Sequence, residues 1–173
     1  MKALLLLAAV VAHAEVIDSS ASGFTVKAVL TVKASPEVVM DKLIHNVGDW
    51  WHPAHTYSHD PHNLKIEAKP GGCWCEKVGD GFVKHLEVIH YRPPGYIAFS
   101  GAPGPLQAQA VTGTLQVQLS AAEGGTKLEM TYAVGGYLAK GLNSWASIID
   151  TVFTEQFTRL KNYVETGQPA PAK

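Results

Sequence analysis

The stretch NSWASIIDTVFTEQFTRLKNYVETG, residues 143 to 167, decides the fold. Its apolar residues recur every three or four positions, which is the period of one helix face; they are Trp145, Ile148, Ile149, Val152, Phe153, Phe157, Leu160 and Val164. The pattern predicts a helix from about Asn143 to Glu165, with Gly167 as its stop. At 1.5 Å per residue this helix is roughly 34 Å long, so its apolar face needs a whole sheet to cover it.

The residues before this helix predict that sheet. Seven segments alternate apolar and polar residues or are rich in β-branched and aromatic side chains; they are residues 24–34, 63–69, 73–78, 82–91, 96–101, 111–119 and 126–134. Between the first two, residues 35–47 predict a short amphipathic helix that begins with Ser35 and Pro36. An antiparallel sheet covered on one face by one long helix is an α+β fold. A strongly curved sheet leaves a space under the helix, and small molecules bind in such spaces.

The first 14 residues predict export. Lys2 is followed by an apolar run too short to span a bilayer, and Ala12 and Ala14 supply the small residues of a cleavage site. The alternative is a retained membrane anchor. We therefore expect a periplasmic or secreted protein with no stable anchor after cleavage, made of one domain at residues 15–167 and a disordered tail at residues 168–173.

The charges of the chain argue against nucleic acid as a partner. The 173 residues include 14 basic and 15 acidic side chains, for a formal net charge of −1. No run of basic residues is present to follow a phosphate backbone. The sequence also has no phosphate-binding glycine loop and no Gly-x-Ser-x-Gly turn, so we expect no cofactor.

Residues 50–64, WWHPAHTYSHDPHNL, concentrate aromatic side chains and histidines. Pro53 and Pro61 interrupt regular structure, and the spacing is not that of a His-Glu-x-x-His zinc motif. Metal binding and solvated loop histidines are therefore both open, and the histidines concerned are His52, His55, His59 and His62. We interpret the segment as the edge of a pocket, with Trp50 and Trp51 pointing in different directions. Residues 102–110 predict a loop that either faces the same opening or is an ordinary connector.

Cys73 and Cys75 should emerge on one face of their strand, because alternate residues point the same way. A three-residue turn at residues 79–81 would place Cys75 opposite His85 and Cys73 opposite Glu87; a two-residue turn would shift these partners. Three interpretations stay open. The thiols form a disulfide, which would require the strand to bend, they bind a soft metal together with His85, or they are free and line the pocket.

The order of elements resembles the helix-grip superfamily often called SRPBCC. That superfamily includes START lipid-transfer domains, the major birch-pollen allergen, polyketide cyclases and aromatases, and chaperone-ATPase-activator homology domains. The likeness covers nearly all of residues 24–167 and is closest to exported bacterial members of no settled activity. It is carried by VKASPEVVMDKL, VGDWWHPAHTYS, KPGGCWCEKV, EVIHYRPPGYIAFSGAPGPLQ, VTGTLQVQL with GGTKLEMTYAVGGY, and FTEQFTRLKNYVETG. It implies a curved sheet of about seven strands wrapped around the C-terminal helix, with short helices between the first two predicted strands.

The resemblance implies a cavity for a small apolar or aromatic ligand. Apolar side chains such as Leu115 and Met130 should face the gap under the helix, although such residues equally often fill a core. The expected ligand-binding residues are Trp50, Trp51, His55, Tyr57, Cys73, Cys75, His85, Leu115, Val117, Met130, Tyr132, Trp145 and Ile149. The first alternative is an enzyme of the polyketide cyclase or aromatase kind that uses His55, His85 or Glu87 as acid or base. The second is a module that binds a protein partner.

Overall fold

A computed structural model of the chain describes residues 13–170. Residues 1–12 of the predicted signal peptide and the last three residues of the predicted tail lie outside the described residues. The first strand begins at His13, two residues before the predicted cleavage point. Within residues 13–170, no helix combines the length and the apolar character needed to cross a membrane.

Residues 13–170 form one curved, eight-stranded antiparallel sheet and three α-helices. The sheet order is β1-β2-β8-β7-β6-β5-β4-β3, so the chain crosses over once, to place β8 beside β2. The helices are α1 (Pro36–His45), α2 (Val47–Trp50) and α3 (Ala146–Thr166). The strands are β1 (His13–Ser20), β2 (Gly23–Val32), β3 (Leu64–Ile66), β4 (Cys73–Val78), β5 (Gly81–Arg92), β6 (Tyr96–Ser100), β7 (Ala110–Ala122) and β8 (Gly125–Tyr137). This is the α+β helix-grip architecture that the sequence predicted.

The long helix forms as the apolar spacing predicted. A single 3-10 turn, Asn143–Trp145, precedes α3, which ends where Gly167 adopts a left-handed conformation with a φ of 75°. The backbone N–H of Gly167 donates to the carbonyl oxygen of Tyr163 at 2.8 Å. Glycine is favoured there because a Cβ would strain that conformation.

The core lies between α3 and the inner face of the sheet. Every second residue of β2 is buried, from Phe24 to Val32. Its buried residues stand opposite those of β8, with Val26 paired to Tyr132 and Leu30 paired to Leu128. Period-two burial on both strands directs these side chains toward the helix.

The eighth strand, β1, is absent from the sequence prediction. It forms the edge of the sheet and pairs with β2, but its register shifts between Val16 and Asp18. That irregularity breaks the alternation of apolar and polar residues, and Ile17 is consequently half-exposed. The sequence of β1 therefore lacks the regular alternation by which the other strands are predicted.

The turn between β4 and β5 contains two residues, because Val78 pairs directly with Gly81. Of the two alternatives for this turn, the two-residue one is present, and Cys75 therefore stands opposite Lys84 and not opposite His85. The register then shifts by one residue, so that Trp74 pairs with Leu86 and Cys73 pairs with Glu87, as expected for the latter pair. His85 is the extra residue of this β-bulge.

Candidate functional site

A cavity of about 400 Å³ lies between α3, strands β4 and β5, and the segment that follows α2. We call residues 50–58, which are the last residue of α2 and the segment after it, the lip. The cavity is lined mainly by apolar and aromatic side chains: Trp51, Ala54, His55, Thr56, Tyr57, Leu64, Trp74, His85, Leu86, Pro103, Gly104, Pro105, Trp145, Ile148, Ile149, Val152 and Phe153. Residues 103–105 thus face the same opening as the lip, which is the first of the two alternatives for that loop.

Trp50 and Trp51 point to different places, as predicted. Trp50 is fully buried behind the cavity wall, and its indole N–H donates to the carbonyl oxygen of Lys42 at 3.0 Å. Trp51 lines the cavity, and its indole N–H donates to the carbonyl oxygen of His55 at 2.9 Å. The ring of Trp51 stands edge-on to Trp74, with 5.2 Å between the ring centroids. The lip therefore brings a rigid aromatic wall to the cavity.

Side chains of α3 attach the lip to the helix. The guanidinium Nε of Arg159 donates to the carbonyl oxygen of Trp50 at 2.8 Å. Oε1 of Gln156, which is fully buried, accepts the backbone N–H of His52 at 2.8 Å. Nε2 of His55 lies 3.1 Å from Oε2 of Glu155. These three contacts, all made by residues 155–159 of α3, leave the lip little freedom relative to the helix.

The group best placed to hold a metal ion among the described residues is His52, His55 and Glu155, whose ligand atoms all lie within 4.8 Å of one another. Two imidazoles and a carboxylate can bind zinc. However, Nδ1 of His52 accepts the backbone N–H of Ala54 at 3.1 Å, so a neutral His52 carries its proton on Nε2, the nitrogen that faces Glu155. That tautomer presents a donor to the carboxylate and not a lone pair to a metal. The geometry fits a hydrogen-bonded link between lip and helix.

The other two histidines of the segment lie apart from this group. Nδ1 of His62 lies 2.9 Å from Oδ1 of Asp60, and its side chain is largely exposed. His59 is also exposed and adopts a φ of 60°. Neither contributes to the cavity lining.

A buried histidine–carboxylate pair lies in the cavity wall. Nε2 of His85 lies 2.9 Å from Oε2 of Glu76, and the two side chains are 8% and 0% exposed. The same carboxylate accepts the backbone N–H groups of Tyr57 at 3.1 Å and of Ser58 at 2.5 Å. The ring of Tyr57 stacks on that of His85, with 5.9 Å between the centroids. The lip thus covers the pair and supplies two of its hydrogen bonds.

The surroundings shift the pKa of both members downward. For Glu76, burial is the largest effect and opposes ionisation, but the hydrogen bonds from Ser58, Tyr57 and His85 together outweigh it and lower the pKa of the carboxyl. For His85, burial is again the largest effect and lowers the pKa of the imidazole, although the bond to Glu76 works against it. A neutral imidazole therefore faces an ionised carboxylate.

The bulge explains why His85 reaches the interior. Both His85 and Leu86 are buried, which regular alternation would not allow. Gly101 makes room at the end of β6, with a φ of 139°, since a Cβ there would lie 2.9 Å from the carbonyl oxygen of His85. Glu76, which the sequence analysis missed, follows Trp74 by two positions. The only feature of the sequence that indicates Glu76 is its position, because it places a carboxylate on the same face of the strand as the apolar Trp74.

The cysteines lie on the opposite face of the sheet from this pair. Cys73 and Cys75 alternate with the buried Trp74 and Glu76, so they point outward and do not line the cavity. The two form a disulfide, with 5.2 Å between their Cα atoms. Strand β4 is therefore locally shortened at the bridge, because a regular strand would separate these atoms by roughly 6.6 Å.

The position of the cysteines and of Glu87 contradicts two further predictions, one of a metal site and one of an acid–base residue. A metal site of Cys73, Cys75 and His85 is not formed, since the sulfurs are bonded to each other and the imidazole lies on the other face. Glu87, named as an acid or base, is also on the outer side, where its carboxylate pairs with the ammonium group of Lys84 at 2.8 Å. The disulfide and Glu87 both lie outside the cavity lining, whereas His85 belongs to it.

Five of the predicted ligand contacts fill the core instead of lining the cavity: Trp50 and the strand residues Leu115, Val117, Met130 and Tyr132. Tyr132 shows why. Its hydroxyl donates to the carbonyl oxygen of Gly101 at 2.9 Å, and its ring packs against Phe153 at 5.1 Å. Burial raises the pKa of this phenol. Phe153 lies between the sheet and the open space, so these strand residues are covered by the helix.

Comparison with known proteins relates the chain to others by fold. No family model and no curated protein matches the sequence. A protein of unknown function from Staphylococcus aureus has a TM-score of 0.62 at 15% identity, over 84% of this chain and 95% of that chain. CalU16 from Micromonospora echinospora has a TM-score of 0.59 at 13% identity, over 86% of this chain and 78% of that chain. The Aha1 protein of Colwellia psychrerythraea has a TM-score of 0.57 at 14% identity, over 83% of this chain and 97% of that chain. Likenesses at these identities establish the helix-grip fold and no activity.

Proposed function

We propose that the protein is exported and binds a small apolar or aromatic molecule in the cavity beneath the lip. The observation that carries the proposal is the cavity itself, about 400 Å³ of space with walls of Trp51, Trp74, Trp145 and Phe153. Small-molecule sites usually measure roughly 300–1,000 Å³ and are lined mainly by hydrophobic and aromatic side chains. Aromatic walls favour a flat, apolar ligand, which they contact through ring faces and edges.

A fluorescent apolar probe tests the binding. N-phenylnaphthylamine should become strongly fluorescent with the wild-type protein. Val152→Trp fills the cavity from α3, where Val152 is half-buried, and should weaken the binding at least about tenfold, because the ligand loses the space it needs. Ile89→Trp adds the same side chain at an exposed position of β5 outside the cavity lining and should leave binding unchanged. Equal effects of the two substitutions would overturn the assignment.

Export is supported by two features. The first 14 residues have the composition of a signal peptide. The Cys73–Cys75 bridge is in keeping with an oxidising compartment, since reducing cytosol keeps most thiols free. The intact mass of the protein from each cellular fraction decides the question: a chain beginning at Glu15 in the exported fraction supports the proposal, and a full-length chain in the cytosol overturns it.

A second candidate function is acid–base catalysis of the polyketide cyclase or aromatase kind. It is favoured by the His85–Glu76 pair, since a nearly buried imidazole that a carboxylate orients is a competent general base. In the relevant step, the imidazole takes a proton from carbon between two carbonyl groups, and the carbanion attacks another carbonyl of the same chain. The resulting alkoxide takes that proton back from the imidazolium, and the alcohol then loses water with a neighbouring hydrogen. Linear poly-β-keto thioesters should then gain aromatic absorbance with wild-type protein and not with His85→Gln. An unchanged spectrum with wild type would remove this candidate.

A further inference from the structure

The hydrogen bonds around Glu76 determine which nitrogen of His85 carries the proton. An ionised carboxylate only accepts, and the two backbone N–H groups of Tyr57 and Ser58 already donate to it. The third contact, Nε2 of His85 at 2.9 Å, must therefore be a donor as well. In a neutral imidazole, the proton is then on Nε2, and Nδ1 carries a lone pair.

This lone pair is available to a ligand. Nδ1 of His85 has no hydrogen-bond partner among residues 13–170. In that part of the chain, the side-chain atoms that are both completely buried and without a hydrogen-bond partner are Asp150 Oδ1, Thr154 Oγ1 and Gln156 Nε2. Nδ1 of His85 is not one of them. Nδ1 therefore retains access to open space, on a residue that is otherwise nearly buried and lines the cavity.

Three other polar side chains of the lining already have hydrogen-bond partners inside the protein. The indole N–H of Trp51 donates to the carbonyl oxygen of His55, and the hydroxyl of Thr56 donates to the carbonyl oxygen of Pro53 at 2.7 Å. His55 itself contacts Glu155. An apolar cavity with an unpaired imidazole acceptor should bind a ligand more tightly when that ligand donates one hydrogen bond to the imidazole.

We infer that the ligand is a hydroxyl-bearing aromatic molecule, such as a phenol or naphthol, whose hydroxyl donates to Nδ1 of His85. The inference rests on the proposed binding function and specifies its ligand class. Anionic ligands are disfavoured, because the Nδ1 lone pair repels a carboxylate and the negative charge of Glu76 lies directly behind the ring. The lowered pKa of His85 agrees with a neutral imidazole at physiological pH.

Competition against N-phenylnaphthylamine tests the inference on wild-type protein. The probes are β-naphthol, its methyl ether and β-naphthoate, which share one ring system. We expect β-naphthol to bind about five- to tenfold more tightly than the methyl ether, which is what one hydrogen bond to a buried acceptor contributes, and β-naphthoate to bind most weakly. Equal affinity of naphthol and ether, or tightest binding of naphthoate, would overturn the inference while leaving the binding function intact. If no naphthalene compound displaces the probe and the probe itself does not bind, the proposed function fails.

Two further measurements tie the preference to His85. The nitrogen NMR signal of Nδ1 should shift with β-naphthol and stay in place with the methyl ether; a shift with both, or with neither, contradicts the inference. His85→Gln keeps an amide donor for Glu76 and should reduce the naphthol preference, whereas His90→Gln on the exposed side of the same strand should keep it. Because the NMR and competition measurements use wild-type protein, the inference stays testable if His85→Gln does not fold.

Discussion

Nε2 of His85 lies 2.9 Å from Oε2 of Glu76, the carboxylate side chain is fully buried and the imidazole is nearly so. The pair joins two neighbouring strands, while the backbone of the lip completes the hydrogen bonds of the carboxylate. One buried charge therefore organises part of the sheet, the lip and the cavity wall together. Removal of this charge should therefore lower the stability of the whole fold.

Glu76→Gln should lower the free energy of unfolding by about 2–4 kcal/mol, because the amide replaces an acceptor with a donor opposite three donors. Urea denaturation measures the loss. Glu87→Gln is the matched control, since the exposed pair of Glu87 with Lys84 should contribute less than about 1 kcal/mol. Similar losses for both substitutions would contradict a structural role for the buried carboxylate.

The pH dependence of stability follows from the same pair. His85 has a folded-state pKa below its usual 6.5, so the unfolded chain binds this proton more readily than the folded one. Stability from this group is present above about pH 6.5 and is lost as the pH falls toward the lower folded-state pKa. Glu76 acts in the same direction at lower pH, because its folded pKa lies below 4.5.

Urea midpoints at about pH 7.5 and about pH 5.5 measure the effect of His85. The wild type should be less stable at the lower pH. His85→Gln, which cannot titrate, should show a smaller difference, and the exposed His90→Gln should behave as wild type. An undiminished difference in His85→Gln would assign the acid sensitivity to other groups.

Much of the fold could be read from periodicity, because long regular elements repeat their pattern many times. The helix α3 and its stop at Gly167 are predicted within a few residues. Edge strand β1 could not be found in the same way, because its irregular register disturbs the period and its side chains are largely exposed. Local pattern is informative only where one face is consistently buried.

The candidate site was harder to predict than the fold. Trp51 and His55 could be assigned to a pocket edge because aromatic and histidine residues cluster in the lip. The partner of His85 depended on a single bulge, which reverses the side on which every later residue of a strand emerges. No sequence pattern locates that bulge, so the sequence predicts Glu87 as a candidate acid or base and does not predict Glu76.

The disulfide on the outer face of the sheet should contribute little to stability and nothing to ligand binding. It joins cysteines at a sequence separation of 2, and a loop so short restricts the unfolded chain by no more than about 1.6 kcal/mol. Cys73→Ser combined with Cys75→Ser should therefore unfold at slightly lower urea concentration and bind N-phenylnaphthylamine as tightly as wild type. Loss of probe binding in this double variant would place the cysteines in the ligand site after all.

The attachment of the lip to α3 should depend on Arg159. Arg159→Met keeps much of the side chain's length but removes the donor to the carbonyl oxygen of Trp50, at a cost of about 1–2 kcal/mol in stability. The lip should also become more sensitive to limited proteolysis. Arg92→Met, at an exposed position of β5, is the control and should change neither quantity. Unaltered proteolysis in Arg159→Met would mean that other contacts suffice to hold the lip.

The two adjacent tryptophans should separate stability from binding. Trp50 is fully buried, packs near Phe157 and donates to the carbonyl oxygen of Lys42, so Trp50→Leu should cost about 3–4 kcal/mol in unfolding free energy. Trp51 forms a wall of the cavity, and Trp51→Leu removes the aromatic surface that a flat ligand contacts. We expect Trp51→Leu to weaken N-phenylnaphthylamine binding roughly tenfold, with a smaller loss of stability than Trp50→Leu. Probe titration and urea denaturation of both variants decide the matter: if the larger binding defect belongs to Trp50→Leu in conditions where it is folded, the ligand does not occupy the space beside Trp51.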